Sequence, residues 1–501
     1  MTATNTAFVI LAAGKGTRMR SALAKVLHLA GGRPLLEHVV RACQPLKPAQ
    51  ILAVVGHQTE EVGTIATQLG ARVPVQIVVQ RPQRGTGHAM QVARRAMRKG
   101  AKFAIVLPGD APLLRTQTLT ALLDTHRRGE AAATILTAEV DNPAGYGRIV
   151  RDAEGRVLAI VEDTSATPEQ RAIREVNSAI YCFTLEKLWP CLAALRPNNA
   201  HRELYLTDAI AMLRARNERV LALIAPDANE VLGGNTRADL AYADRVLRAR
   251  KAAQMMDSGV TIYLPETVLI DPDVTAGPDT VIEPCVQLLG RTRIGARCQI
   301  RTGTILRDVR VDDDAIVGPH TNADASRIGS RAQVGPFSRL RPESDIRAGA
   351  RIGNFVEVKK SVVHEGAKAG HLSYIGDATI GPGANIGAGT ITCNYDGAAK
   401  YETKIGARVF IGSDTALVAP VRVGDDAYVA AGSIITENVP ADALAIARGR
   451  QVNKPGWAKA RRAALKKIQS GKRKVSAKRK PSKAPRRKTK ASRSRGKFRL
   501  R

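Results

Sequence analysis

The sequence predicts two folded parts: a layered, Rossmann-like α/β domain in front and an all-β prism of short stacked parallel strands behind. Three observations carry this prediction. Residues 7–13 form an unbroken apolar run that ends at glycine, the pattern of a strand buried on both faces of a parallel sheet. Aliphatic residues recur every six positions over long stretches after Ser258. Aromatic residues are only 4% of the 501 while glycines number 43, so cores of Val, Ile and Leu fit better than cores built around rings.

In the front part, short apolar runs follow at 51–55, 75–79 and 104–107, with helix-like stretches at 35–43 and 88–97 between them. Strand and helix alternate as in an α/β sheet. Mixed strands at 149–161 and 178–183 continue the domain to about Asn235. From Asn235 to Ser258 there is no Gly or Pro, and Leu240, Ala243, Val246 and Leu247 keep helical spacing. Thr236 and Asp239 can cap its start. One helix is therefore expected to link two domains. The expected segments are 1–236, 237–258 for the linker, 259–457 for the prism, and a tail at 458–501.

The period of six is unbroken through Ile328, Val334, Leu340, Ile346, Ile352 and Val358, and again through Ile405, Ile411, Leu417, Val423, Val429 and Ile435. A helix would repeat at 3.6, and simple strand alternation would not single out one residue in six. A triangular coil explains the pattern: each unit is one side, its aliphatic residue points to the axis, and the small residue that usually follows permits the corner. Residues 393–404 interrupt the period and read as an excursion loop.

No apolar run approaches the ~18 residues of a membrane span, and the N-terminus lacks a secretory pattern. A soluble cytoplasmic protein is expected, with its six scattered cysteines as free thiols. The net charge of +32 is uneven. Residues 459–501 hold 21 Lys and Arg and no Asp or Glu, which leaves +11 for the rest. Such a composition predicts a disordered, Lys/Arg-rich tail. A weak, non-specific contact with nucleic acid or another polyanion, such as an anionic membrane surface, is its expected partnership.

The loop after the first strand, Leu11-Ala12-Ala13-Gly14-Lys15-Gly16-Thr17-Arg18-Met19, lets backbone N–H groups approach a phosphate chain. Arg18 and Lys25 add positive charge. The spacing fits neither the dinucleotide fingerprint nor the P-loop, and a structural turn is an equal alternative. Asp110 ends the strand at 104–107, where open α/β sheets bind ligands, or it caps the following segment. Asn235 is equally a helix N-cap. His371 has the side chain for proton transfer near neutrality, although a lone histidine is more often structural.

Longer segments resolve these choices by likeness. Leu11 to Lys25 resembles the signature of sugar-1-phosphate nucleotidyltransferases. Residues 5–457 are similar to the bifunctional bacterial family of N-acetylglucosamine-1-phosphate uridyltransferase / glucosamine-1-phosphate acetyltransferase. The matching segments are Gln80 with Gly85-Thr86-Gly87-His88, Gly109-Asp110, Gly145-Tyr146-Gly147-Arg148-Ile149, Glu162, Asn177, Asn235, Gly370-His371-Leu372, Ile386 to Gly397, and Ala445 to Arg448. The resemblance implies a left-handed parallel β-helix of hexapeptide repeats for the prism, and a homotrimer.

It further implies UTP and acetyl-CoA as co-substrates and Mg²⁺ held by Asp110 and Asn235. Leu11, Ala12, Ala13, Gly14, Gln80, Gly85 and Thr86 then hold the nucleotide, with Lys25 and Arg18 catalytic on the phosphates. Gly147, Glu162 and Asn177 hold the sugar. His371 is the general base of acetyl transfer; Arg341, Lys359, Tyr374 and Asn385 bind glucosamine 1-phosphate; Ala388, Asn394, Tyr395, Ser413, Ala431 and Arg448 contact acetyl-CoA. Two positions depart from the family pattern: Ala24 stands for a proline before the lysine, and Pro108 for a tyrosine before Gly-Asp.

Overall fold

The computed structural model describes residues 4–14, 16–56, 58–68, 73–197 and 202–477, with side chains described to residue 470. In the front part a sheet runs in the order Val220–Ile224, Ala133–Glu139, Glu175–Thr184, Phe103–Pro108, Thr6–Ala12, Gln50–Val55, Val75–Val79. Glu175–Thr184 is antiparallel to both its neighbours; the other pairs on this path are parallel. The first strand is buried on both faces, as its apolar run predicts. Phe8 and Ile10 pack with the helices Leu35–Cys43 and Thr116–Arg128, while Val9 packs with Thr86–Ala96 and Leu185–Ala194 on the other side. The register Leu11↔Pro108 sets the glycine-rich loop beside Gly109-Asp110 at the carboxyl edge of the sheet.

The linker is one helix, Arg237–Asp257. Thr236 and Asp239 form a reciprocal capping box at its start. Asp244 accepts from Gly31 N–H at 2.7 Å, and Arg248 bonds both Asp244 and Asp271. Ala252 and Met255 enter the apolar core of the second part. The helix is thus tied to both halves.

That second part consists of three parallel faces of 11, 10 and 9 short strands, which begin at Thr261–Ile262, Leu269–Ile270 and Thr275–Ala276. In each face the next strand is three further along the chain, except at the end of the first face, where Leu444–Ala445 pairs with Tyr428–Val429 two strands on. These are the parallel stacks of a β-helix, consistent with the left-handed hexapeptide-repeat form. The repeating aliphatic residues form one continuous core, with Ile328 to Val358 at most 1% exposed and Ile405 to Ile435 at most 4%.

The corners differ from expectation. Left-handed backbone falls largely on residues other than glycine, such as Arg297, Asp314 and Arg331. Where glycine follows the aliphatic residue, as at Gly329, Gly353 and Gly412, it lies against the backbone of the next coil instead. A Cβ at Gly353 would lie 2.1 Å from the Gly370 carbonyl oxygen in the next coil. Gly353→Ala is therefore expected to destabilise the prism by about 1–3 kcal/mol. A lower Tm by circular dichroism checks this.

Residues 448–501 form a separate unit. Trp457–Ala477 is a helix, where the composition had suggested disorder from 458. Ala, Lys, Arg and Leu are strong helix formers, so high charge without proline does not prevent local helix. The expected disorder of 478–501 concerns residues outside those described. Among the described residues no helix is long and apolar enough to cross a membrane, and the six cysteines are free.

Candidate active sites

Two adjoining cavities open at the carboxyl edge of the front sheet. One, of about 540 Å³, is lined by Leu11, Ala13, Gly14, Gln80, Gly85 and Thr86. The other, of about 380 Å³, is lined by Lys25, Asp110, Gly147, Glu162, Asn177 and Asn235. Leu11, Thr86 and Pro108 border both. Of the residues expected around the nucleotide, Ala12 alone faces elsewhere: it is buried in the core beneath the sheet.

The polar groups of the cleft are held from behind. Gln80 Nε2 donates to Gly85 O at 3.0 Å and lies 3.1 Å from His88 Nδ1. Burial, then Arg84 and Arg95, push the His88 pKa down, so it is neutral near pH 7 and accepts that bond. Gln83 Nε2 donates to Ala13 O at 2.6 Å and fixes the glycine-rich loop. Neither His88 nor Gln83 is among the expected site residues: His88 acts through Gln80, and Gln83 lines the first cavity and holds Ala13. On the sugar side, Asn177 N donates to Gly147 O at 2.8 Å, and Asn177 Nδ2 donates to Tyr181 Oη at 2.8 Å. Glu162 accepts from Thr207 Oγ1 at 3.3 Å. Burial holds its carboxyl above the usual range.

Lys25, Asp110 and Asn235 converge. Lys25 Nζ is ion-paired with Asp110 and donates to Asn235 Oδ1 at 2.7 Å; Arg18 Nη2 reaches the same oxygen at 2.9 Å. A carboxylate and an amide oxygen thus meet on one cation. Among the described residues no cluster of three or more His, Cys, Asp or Glu forms a metal cage. One or two protein oxygens, completed by phosphate oxygens and water, is the set that Mg²⁺ takes, so these residues fit it. The Ala24 departure has a structural answer. Its N–H donates to Gln58 Oε1, a bond that proline could not make, and Lys25 still opens a tight turn, Lys25–Leu27.

On the prism, the first edge runs between the first and second faces. His371 and Ala388 hold the same place in successive coils, by the registers Lys368↔Asn385 and Tyr374↔Ile391. Asp414 N then donates to Ala388 O at 2.7 Å and Gly432 N to Ser413 O at 2.8 Å. His371, Ala388, Ser413 and Ala431 therefore lie along one edge, with His371 exposed. Ala388, Ser413 and Ala431 are small, so they put no bulky side chain on the edge they share with the imidazole.

Arg341, Lys359, Tyr374 and Asn394 gather across the second face. Arg341 and Lys359 follow the aligned pair Leu340↔Val358, and Lys359 pairs in register with Gly376. The Tyr374 ring lies across Gly376, where a Cβ would come 2.4 Å from its hydroxyl. Asn394, in the excursion loop, donates to Asp377 Oδ2 at 2.5 Å. The exposed Tyr395 donates to Gly397 O at 2.6 Å. The same loop brings Lys400 against Lys359, whose hydrogen bond, and then its charge, push the Lys400 pKa down. Two adjacent ammonium groups suit a phosphate; Lys400 lies in a loop without a period, so no spacing in the sequence points to it. Asn385 sits on the first face, in register with Lys368. Within one chain, then, Asn394 and Tyr395 are not brought to the edge of His371. Arg448 belongs to the separate C-terminal unit.

A family profile described as "MobA-like NTP transferase domain" matches residues 8–180, and one described as "Bacterial transferase hexapeptide (six repeats)" matches 402–437. The chain is 51% identical to the "Bifunctional protein GlmU" of Koribacter versatilis, over 92% of this chain and 98% of that one. It is 49% identical to the protein of that name from Sorangium cellulosum, over 91% and 97%, and 46% identical to that of Pelobacter propionicus, over 90% and 98%. With such identity across nearly the whole of each relative, carried by both a nucleotidyltransferase cleft and a hexapeptide-repeat prism, the chain belongs to the bifunctional GlmU family.

Proposed function

We propose that the chain makes UDP-N-acetylglucosamine in two steps, one at the prism and one in the front cleft. The convergence of Lys25, Arg18, Asp110 and Asn235 on one point at the second cavity is the observation that supports the uridylyl step most directly. Segments 1–236 and 259–457 carry the two reactions, 237–258 joins them, and 458–501 is needed by neither.

In the first step His371 takes a proton from the amine of glucosamine 1-phosphate as nitrogen attacks the thioester carbonyl of acetyl-CoA. The C–N bond forms, the C–S bond breaks, and the thiol of coenzyme A leaves. Arg341, Lys359 and Lys400 hold the phosphate, with Tyr374 and Asn385 on the sugar. Ala388, Ser413 and Ala431 border the coenzyme A track, and Asn394 and Tyr395 complete the acetyl-CoA contacts. Because Asn394 and Tyr395 lie away from the His371 edge of their own chain, a threefold assembly of flat prism faces is the arrangement that unites them. A solution mass three times the 53.6 kDa chain tests that assembly.

In the second step a phosphate oxygen of N-acetylglucosamine 1-phosphate attacks the α-phosphorus of UTP, and the bond to pyrophosphate breaks. Gln80, Gly85 and Thr86, with Leu11, Ala13 and Gly14, hold the nucleotide; Gly147, Glu162 and Asn177 orient the sugar; Lys25 and Arg18 stabilise the phosphate charge. Asp110 and Asn235 would hold Mg²⁺, which when bound supplies charge neutralisation to the triphosphate. Thiol release that needs glucosamine 1-phosphate, and pyrophosphate release that needs N-acetylglucosamine 1-phosphate, test the pair of reactions. Absence of the first would reduce the prism to a scaffold. The cytoplasm, where these substrates and free thiols occur together, is the compartment this chemistry suits.

The tail is read as a non-specific polyanion contact, supported by its 21 Lys and Arg without one acidic residue. Salt-sensitive retention on DNA is expected for the full chain and not for a chain ending at Trp457. Equal retention of the two would refute this reading.

A further inference from the structure

The two oxygens assigned to the metal are already engaged by the protein's own cations. Lys25 Nζ pairs with Asp110 Oδ2 and donates to Asn235 Oδ1, and Arg18 shares that amide oxygen. The Lys25 and Asp110 side chains are 17% and 13% exposed, so their attraction is screened less than at an open surface. Two glycines make the room. A Cβ at Gly16 would lie 2.7 Å from Lys25 Cβ, and one at Gly233 would lie 3.0 Å from Asp110 Oδ2. Bare backbone on both sides lets the lysine lean onto the carboxylate.

The charge balance then matters. Two positive side chains face one negative carboxylate. A divalent cation entering alone would meet both positive charges at its own ligands. One arriving on a triphosphate brings more negative charge than it adds positive, and gives both side chains new partners.

We propose that Lys25 is the resident counter-ion of Asp110 and Asn235, and that metal and nucleotide enter together by exchange. Lys25 and Arg18 pass from these two oxygens to the phosphates as the metal takes their place. This rests on the reading of Asp110 and Asn235 as the metal ligands. The exchange couples the two ligands: each raises the affinity for the other by the same factor. It also keeps the cradle closed to free metal and delivers Lys25 to the triphosphate only when a metal is present.

The test is Mn²⁺ binding to the full-length protein, read from the electron paramagnetic resonance signal of free Mn²⁺ relative to the same solution without protein, with and without UTP and with no sugar phosphate present. Without UTP, Lys25→Met and Lys25→Gln are expected to bind Mn²⁺ at least about tenfold more tightly than the natural chain. Lys25→Arg, which keeps the charge, is expected to stay weak. Adding Asp110→Asn to Lys25→Met is expected to erase the gain. If both neutral variants bind no more tightly while Asp110→Asn alone removes Mn²⁺ binding in the presence of UTP, the exchange is wrong and the ligand assignment stands. If Asp110→Asn leaves binding with UTP unchanged, the ligand assignment itself fails, and the exchange falls with it.

Discussion

Replacing His371 with alanine is expected to lower acetyl transfer to glucosamine 1-phosphate by about 10²–10⁴-fold, the usual contribution of a positioned general base. Uridylyl transfer is expected to be unchanged. The side chain is exposed on the prism edge, outside the aliphatic core, so the variant should fold like the natural chain. The loss should appear in kcat more than in KM, because Arg341, Lys359 and Tyr374, the proposed substrate contacts, are kept while the proposed base is gone. Thiol release from acetyl-CoA measures the first reaction and pyrophosphate release the second. A loss of both would mean that His371 supports the fold rather than the chemistry.

Asp110→Ala is expected to produce the reverse. Uridylyl transfer should fall by about 10³-fold, the scale of losing a group that stabilises charge in the transition state, while acetyl transfer persists. The substitution removes one of the two oxygens that meet at Lys25 and leaves two cations with only the Asn235 oxygen between them. Those cations remain available to the triphosphate, so UTP binding should survive better than turnover. Pyrophosphate release at saturating UTP, against the equilibrium affinity for UTP, separates these effects.

The architecture was legible in the sequence where one physical constraint repeats. Each turn of the prism puts its aliphatic residue in the same buried position, so Ile328 to Val358 showed the period directly. The linker helix was legible because Thr236 and Asp239 satisfy the backbone at its start. What a period cannot tell is which edge a residue occupies. His371 and Ala388 proved to share one edge, whereas Asn394 lies by Asp377 across the second face. The glycines were read as corner residues, yet their main constraint is the closeness of the next coil, a contact about 17 residues away at Gly353 and Gly370. His88 and Gln83 were missed for a related reason. They act on Gln80 and on the loop at Ala13 through hydrogen bonds that only folding creates. Lys400 lies in an aperiodic loop, where neither pattern nor spacing indicates a neighbour.

One chain carrying two separable reactions, linked by a released intermediate, is the central claim. Its most direct test gives a mixture of the Asp110→Ala and His371→Ala proteins glucosamine 1-phosphate, acetyl-CoA, UTP and Mg²⁺, and measures UDP-N-acetylglucosamine. Each protein alone should form almost none, and the mixture should form it readily, because N-acetylglucosamine 1-phosphate made by the first is used by the second. A mixture as inactive as either protein alone, with both folded, would contradict the claim.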